Sequence, residues 1–586
     1  MPAVWAPAAG SVELVTETGR TPLTRDDRGW WTGDVALQDG DRYAFSLDGG
    51  DPRPDPRGLA LPDGPHGWSA YVDVSRFGWT DGDWTGRPLE GAVVYETHVG
   101  TFTPEGTLDA AVAKLPYLVD LGVDVVELLP LASFPGEHGW GYDGIGPWSV
   151  HATYGGPAAL ARFVDAAHAH GLAVCLDVVY NHLGPDGNYL GEIAPYFTDG
   201  HVTPWGQGLN IDGPGSDEVR RWVLDNVQLW LRDLHVDGLR LDAVHELHDE
   251  SALHLLEEMS REVDALAEAT GRTLWLVAES DRNDPGTVTP RGAGLEVAGR
   301  GVHAQWADDI HHALHVALTG ETQGYYADFA APDALSKVLV SPFFHDGTFS
   351  SFRGRRHGRP VDRGTVPGWR FVASLQTHDQ VGNRAQGDRL SGSLLDLAPG
   401  TLACGAAILL TSPWTPMLFM GEEWGARTPW QFFTDHTDPE IARLTREGRR
   451  AEFGSHGWDE TEVPDPQAPS TFTDSKLDWS EPSREPHARL RQWYRDLIAL
   501  RRAEPDLRDG RLSGVGVDWS DRHLCVRRGG HLVLVNLAEE SWQTEHEGTV
   551  VLAWDEPVPV GGAGAAGGAG SGGLGVPARS AVVVRT

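Results

Sequence analysis

The sequence predicts a multidomain α/β protein built on a central (β/α)8 TIM barrel, and three observations carry that prediction. Between about residues 92 and 422, eight short apolar runs alternate with stretches of helical periodicity, the pattern of parallel strands each followed by a helix. Three of those runs lead into a carboxylate, at Asp242, Glu279 and Asp379, so acids would gather at one rim. Before about residue 88 and after 508 the alternation of runs and helices is missing, and short strand-like segments punctuated by Gly, Asp and Pro take over.

Residues 1–88 read as an N-terminal, Ig-like β-sandwich, with alternating runs at 11–15 and 42–47 and a Pro-rich loop at 51–56. The barrel is expected over 89–508, with strands at 92–99, 123–131, 172–180, 236–244, 273–280, 301–308, 371–379 and 413–422. The clearest helix spans 216–234. There Val219, Trp222, Val223, Val227, Trp230, Leu231 and Leu234 share one stripe, and Ser216 is placed to cap it. A last helix at 487–502 follows the eighth strand. The loops after strands 3 and 8, about 181–215 and 424–486, are long, and long loops at the C-terminal rim of a barrel shape the substrate site. Residues 509–586 read as a small C-terminal β-domain with a low-complexity Gly-rich loop at 561–575.

Composition excludes several classes. The chain has 586 residues and a formal net charge of −37, the wrong sign for nucleic acid, whose phosphates need cations. Three well-separated cysteines, Cys175, Cys404 and Cys525, form no disulfide framework or zinc spacing. No run of about 18 apolar residues suggests a membrane span. The N-terminus lacks the basic and apolar regions of a secretory signal, so a cytoplasmic location is expected. No G-x-S-x-G elbow or P-loop appears, and no G-x-G-x-x-G directly after a strand supports a nucleotide cofactor. The 23 tryptophans suit stacking on sugar rings but also fill cores.

The three acids match the needs of glycoside hydrolysis. A retaining glycosidase sets a carboxylate nucleophile against a carboxylic acid across the scissile bond, about 5 Å apart. Arg240 and Asp242 stand two residues apart on one strand and so share a face. That cation would keep Asp242 ionised, as a nucleophile requires. Glu279 has no adjacent cation in sequence, which favours a raised pKa and proton donation. Asp379 would be the third acid, binding sugar hydroxyls and favouring positive charge at the anomeric carbon.

Four segments in order resemble the α-amylase superfamily of glycoside hydrolases (family 13). They are Asp177-Val-Val-Tyr-Asn-His182, Gly238-Leu-Arg-Leu-Asp-Ala-Val-His245, Val277-Ala-Glu-Ser280 and Thr377-His-Asp-Gln380. The resemblance implies that Asp242 is the nucleophile, Glu279 the acid/base and Asp379 the transition-state stabiliser. It implies that His182, Arg240, His245, His378, Gln380 and Asn383 surround the substrate, and that Tyr142, in Trp140-Gly-Tyr-Asp143, stacks on the sugar. Finer segments resemble one branch, which hydrolyses maltooligosyltrehalose. Among them are Ser351-Phe-Arg-Gly-Arg-Arg-His-Gly358, Met420-Gly-Glu-Glu-Trp-Gly425 and the stretch 307–321, whose Asp308, Asp309, His311 and His312 are expected to contact substrate. His311 and His315 stand at i,i+4, a spacing that can hold zinc. No further ligand motif accompanies them, and no metal or other cofactor is expected.

The implied reaction cleaves the α-1,4-glucosidic bond next to the terminal trehalose of maltooligosyltrehalose, giving trehalose and a maltooligosaccharide. A maltooligosyltrehalose synthase would supply the substrate. Maltooligosaccharides are the other expected ligands, with no nucleic acid and no membrane as partners. The alternative is a branching enzyme, similar in style through Tyr95-Glu-Thr-His-Val-Gly-Thr-Phe-Thr-Pro-Glu-Gly106, or another α-amylase-type glucan hydrolase.

Overall fold

The eight apolar runs close a parallel barrel. The computed structural model describes residues 2–292, 299–455, 463–520, 522–559 and 573–586. Its barrel strands are β1 (Val94–Thr97), β2 (Val125–Leu128), β3 (Ala173–Val178), β4 (Gly238–Leu241), β5 (Trp275–Ala278), β6 (Ala304–Trp306), β7 (Phe371–Ser374) and β8 (Thr415–Phe419). They pair in sequence order and β8 returns to β1. Every residue of these strands is buried, which is why the runs are almost continuously apolar instead of alternating. The few polar members, Glu96, Glu127, Asp177, Arg240 and Gln305 among them, therefore stand out as groups that need partners.

The strands are shorter than the apolar runs suggested, because their C-terminal ends turn early into the rim. The seventh was expected to reach residue 379; it stops at Ser374. Thr377 then caps a one-turn helix, His378–Gly382, by accepting the N–H of Gln380, the role a threonine plays at a helix start. Asp379 thus sits on a helical turn and not on a strand. The helix at 216 also differs in detail. Gly215, at φ 83°, occupies the cap position with no side-chain bond, and Ser216 is the first helical residue. The chain enters through a left-handed turn that glycine adopts without strain. The α-helix Ser216–Gln228 then loosens into a π-helical turn, Leu229–Asp233, that keeps Leu229, Trp230 and Leu231 buried.

Strand-rich regions flank the barrel. At the N-terminus two small antiparallel sheets form, one including Ala3–Trp5 and Trp30–Thr32, the other Val12–Thr16 and Arg42–Leu47. Past the last barrel helix, His487–Ala503, five strands including His531–Asn536 and Ser580–Arg585 make a sheet, with a three-stranded one beside it. The Gly-rich loop expected at 561–575 lies, as far as 572, outside the described residues. Cys175, Cys404 and Cys525 are buried free thiols. Among the described residues no helix is long and apolar enough to cross a membrane.

One glycine controls how β4 seats against β5. Gly238 lies opposite Trp275 in register, and a Cβ there would meet the Trp275 ring at 2.1 Å. Gly238→Ala is therefore expected to cost about 1–3 kcal/mol by overpacking and to displace Arg240 and Asp242 just downstream. Denaturant unfolding and an activity assay check both effects.

Candidate active site

Arg240 is the centre of the site. Its side chain is fully buried under the rim, with its guanidinium 4.4 Å from the ring of Trp306. Nη1 donates to Asp242 Oδ1 at 2.7 Å and to both oxygens of Asp177, at 3.0 and 2.9 Å. Nη2 stands 3.4 Å from Glu279 Oε2. Strand alternation puts Arg240 and Asp242 on one face, and parallel pairing aligns Asp177 with Arg240 across β3 and β4. One cation thus touches carboxylates from three successive strand ends. Glu279 has a cation beside it after all, one that sequence adjacency did not reveal.

Burial nevertheless pushes Glu279 up to about 8; Arg240 pulls it down, while Asp242, Asp379 and Asp308 push it further up. Its Oε2 accepts the Ala243 N–H at 2.6 Å. Ala243 adopts φ 39°, ψ 51°, a left-handed conformation that costs a non-glycine residue about 1–2 kcal/mol. Strain of this kind concentrates at functional sites; here it turns the backbone after Asp242 toward Glu279. Asp242 also accepts a hydrogen bond from Asn181 Nδ2 at 2.8 Å. Asp177 is pushed up by burial, against the pull of Arg240, to about 6, and it accepts the Tyr142 hydroxyl at 2.6 Å.

Tyr142 stacks on His378 with ring centres 5.0 Å apart. His378 Nε2 lies 3.6 Å from Asp379 Oδ1, which also accepts from Asn383 Nδ2 at 3.2 Å. His182, stacked on the exposed Trp205 at 4.9 Å, directs Nε2 to the Tyr142 carbonyl. His245 Nδ1 accepts the Asp281 N–H at 3.2 Å. Asp308 is pushed up to about 7, by burial first and then by Asp281 and Asp379.

Most of these groups line a cleft of about 560 Å³. Of the residues singled out from sequence, Tyr142, His182, Asp242, His245, Glu279, Asp308, His378, Asp379 and Asn383 meet in it, and Arg240 lies directly beneath. Four others do not line it. Asp309 is buried, accepting from Asn283 Nδ2 and the backbone of Phe344 and His345. His311 faces the Tyr326 hydroxyl at 3.2 Å, His312 packs on Tyr325 and Phe329, and Gln380 accepts from Tyr325 at 3.5 Å. His315, the other member of the i,i+4 pair, is bonded to Glu321 at 2.7 Å. Among the described residues no group of three or more His, Cys, Asp or Glu could hold a metal ion.

The cleft has further walls that the motifs did not indicate. Trp140, Asp143, Trp205, Asp281, Phe432, Thr434, His436, Ile441 and Thr445 all line it. Trp140 and Asp143 were within reach, since they flank Tyr142 in one short segment. Phe432 through Thr445 come from the long connection after β8, which was expected to shape the site although no motif singled out these residues.

The alpha amylase catalytic-domain family matches residues 71–196. A malto-oligosyltrehalose trehalohydrolase of Arthrobacter ramosus is 54% identical over 569 residues, covering 96% of each chain. One from Saccharolobus solfataricus is 41% identical, covering 95% of this chain and 94% of its own. Among solved structures, a Salmonella typhimurium protein provisionally named an alpha amylase superposes with a TM-score of 0.88 at 38% identity, covering 99% of this chain and 97% of that one.

Proposed function

Because this chain belongs to the malto-oligosyltrehalose trehalohydrolase family, within the α-amylase-type glycoside hydrolases, we propose that it hydrolyses the α-1,4-glucosidic bond next to the terminal trehalose of maltooligosyltrehalose. The products are trehalose and a shortened maltooligosaccharide. The observation that carries the chemistry is the single guanidinium of Arg240 bound to Asp242 and close to Glu279. It draws nucleophile and acid together, which favours the short spacing of a retaining pair, about 5–5.5 Å.

In the proposed mechanism Glu279, pushed up to about 8 and so protonated at neutral pH, gives its proton to the glycosidic oxygen. Asp242 attacks the anomeric carbon, the bond to the trehalose oxygen breaks, and a glycosyl-enzyme forms. Glu279, now a carboxylate, takes a proton from water; the water attacks the same carbon and Asp242 leaves, so the configuration is retained. Asp379 holds sugar hydroxyls and stabilises the positive charge that develops. Tyr142 supplies the stacking face, while His182, His245, Asp308, His378 and Asn383 hydrogen-bond the sugars. Asp309, His311, His312 and Gln380 act behind the wall, fixing the rim.

We assign residues 1–88, 89–508 and 509–586 to three domains. A cytoplasmic location fits three unpaired thiols, and a maltooligosyltrehalose synthase would supply the substrate. Product analysis tests the reading with equal concentrations of maltooligosyltrehalose and a maltooligosaccharide of equal length. Trehalose is expected as the main product, with the unmodified chain cut at least about tenfold more slowly, a difference of about 1.4 kcal/mol. Branched glucan as product, or equal cutting of both substrates, would replace this assignment with one of its relatives.

A further inference from the structure

Glu96, on β1, lies beneath the cleft and is 1% exposed. The mechanism above gives it no role. One of its oxygens is 2.5 Å from His378 Nδ1, and the other accepts the His378 backbone N–H at 3.0 Å. A single carboxylate therefore grips the ring and the backbone of the same residue. The remaining freedom of that residue is also taken up. Its carbonyl accepts from Trp430 Nε1 at 2.9 Å, and its ring is stacked on Tyr142.

This grip decides what His378 presents to the cleft. With Nδ1–H committed to Glu96, Nε2 is the nitrogen left to face Asp379 Oδ1, 3.6 Å away. In a neutral ring Nε2 would carry a bare lone pair pointed at a carboxylate. Only the imidazolium has an N–H at both positions.

We propose that Glu96 is a positioning residue that keeps His378 an imidazolium, so that Nε2–H points at Asp379 and the sugar hydroxyls around the anomeric carbon. The role in turnover rests on the function proposed above; the charge state does not. The groups around His378 agree with it. Burial opposes the charge and so does Arg240 from β4, but Glu96 and Asp379 outweigh them and raise His378 to about 9. Asp177, from β3, adds a further acid nearby. His98, which follows β1, is lowered by burial to about 3 and brings no competing charge at neutral pH. Tyr142 is raised by burial and by Asp177, and stays neutral. Glu127 lies opposite Glu96 in register on β2. Burial, together with Glu96 and Asp177, raises it to about 8, so it is protonated at pH 7.

The test is Glu96→Gln in the full chain, which keeps the shape and removes the charge. The ring of His378 is followed by NMR with labelled histidine, its signal assigned by its loss in His378→Asn. In the wild type the ring is expected to stay charged through pH 7 and to titrate near 9. In Glu96→Gln the midpoint should fall by about 1–3 pH units; the basic limb of kcat/KM, set in the wild type by Glu279 near 8, should move down once the His378 midpoint lies below it. In an His378→Asn background the Glu96 change should cost less than about threefold more, because its effect passes through the ring. An unshifted titration in Glu96→Gln, or losses that multiply in the double variant, would overturn the proposal. Should Glu96→Gln fail to fold, a His378 ring that is neutral at pH 7 in the wild type overturns it equally. The titration is read without substrate, so an error in the assigned reaction would leave it unaffected.

Discussion

Asp242→Ala is expected to lower kcat by roughly 10⁴- to 10⁶-fold, the scale on which removal of a covalent nucleophile acts. Glucan binding should survive, because Tyr142, His182 and His378 line the cleft independently of Asp242. The loss comes from the covalent step: without the carboxylate no glycosyl-enzyme forms, and water must displace the leaving group without the enzyme's nucleophile. Arg240 keeps Asp177 as a partner in the variant, so the fold should hold. Turnover on maltooligosyltrehalose and calorimetric titration with a maltooligosaccharide read the two quantities separately. Retention of even a tenth of the wild-type rate would remove Asp242 from the mechanism.

Arg240→Leu should damage both stability and activity. The guanidinium is fully buried against Asp177, Asp242 and Glu279, and all three carboxylates are themselves largely buried. Removing one partner of a buried ion pair costs about 3–5 kcal/mol, because the other charge is left uncompensated. Protonation of the acids relieves part of that cost, and in doing so it removes the ionised nucleophile; activity should drop at least about 10³-fold. Arg240→Lys separates the two effects. A single ammonium can neutralise charge but cannot spread two nitrogens over three strand ends. The lysine variant should therefore recover much of the stability and little of the rate. Thermal unfolding and kcat/KM, measured on both variants, decide it. A leucine variant as stable as the wild type would show that Arg240 does not hold the site together.

The parts of this architecture that could be read from the chain are those encoded within a few residues. A strand buried on both faces needs a continuous apolar run, and β1 to β8 all fall inside the runs that predicted them. The stripe from Val219 to Leu234 predicts one helical face, and the structure buries all of its residues, with Leu234 at the cap that ends the π-helical turn. The acids were legible because a carboxylate or guanidinium at the end of an apolar run contrasts with its neighbours. Ends of elements were less legible. Asp379 belongs to a helical turn since Thr377 caps it, a choice made by one side chain against the apolar trend upstream.

Contacts between distant segments were out of reach. Glu279 has no cation adjacent in sequence, but parallel pairing of β4 and β5 sets it beside Arg240, 39 positions earlier in the chain. Glu96 and His378 are 282 residues apart, and no local pattern joins them. The wall formed by Phe432, Thr434, His436, Ile441 and Thr445 lies in a connection in which no motif singles out these residues.

By itself, then, the chain's order of residues determined a barrel, its flanking strand-rich regions and the acids at its rim, because periodicity and burial act over single turns and strands. Which of those acids is charged, and what each one faces, was decided only when the barrel closed. Closure brings β1, β4, β5 and the turn after β7 around one buried space, and there electrostatics depends on distance and dielectric, with no regard to separation along the chain.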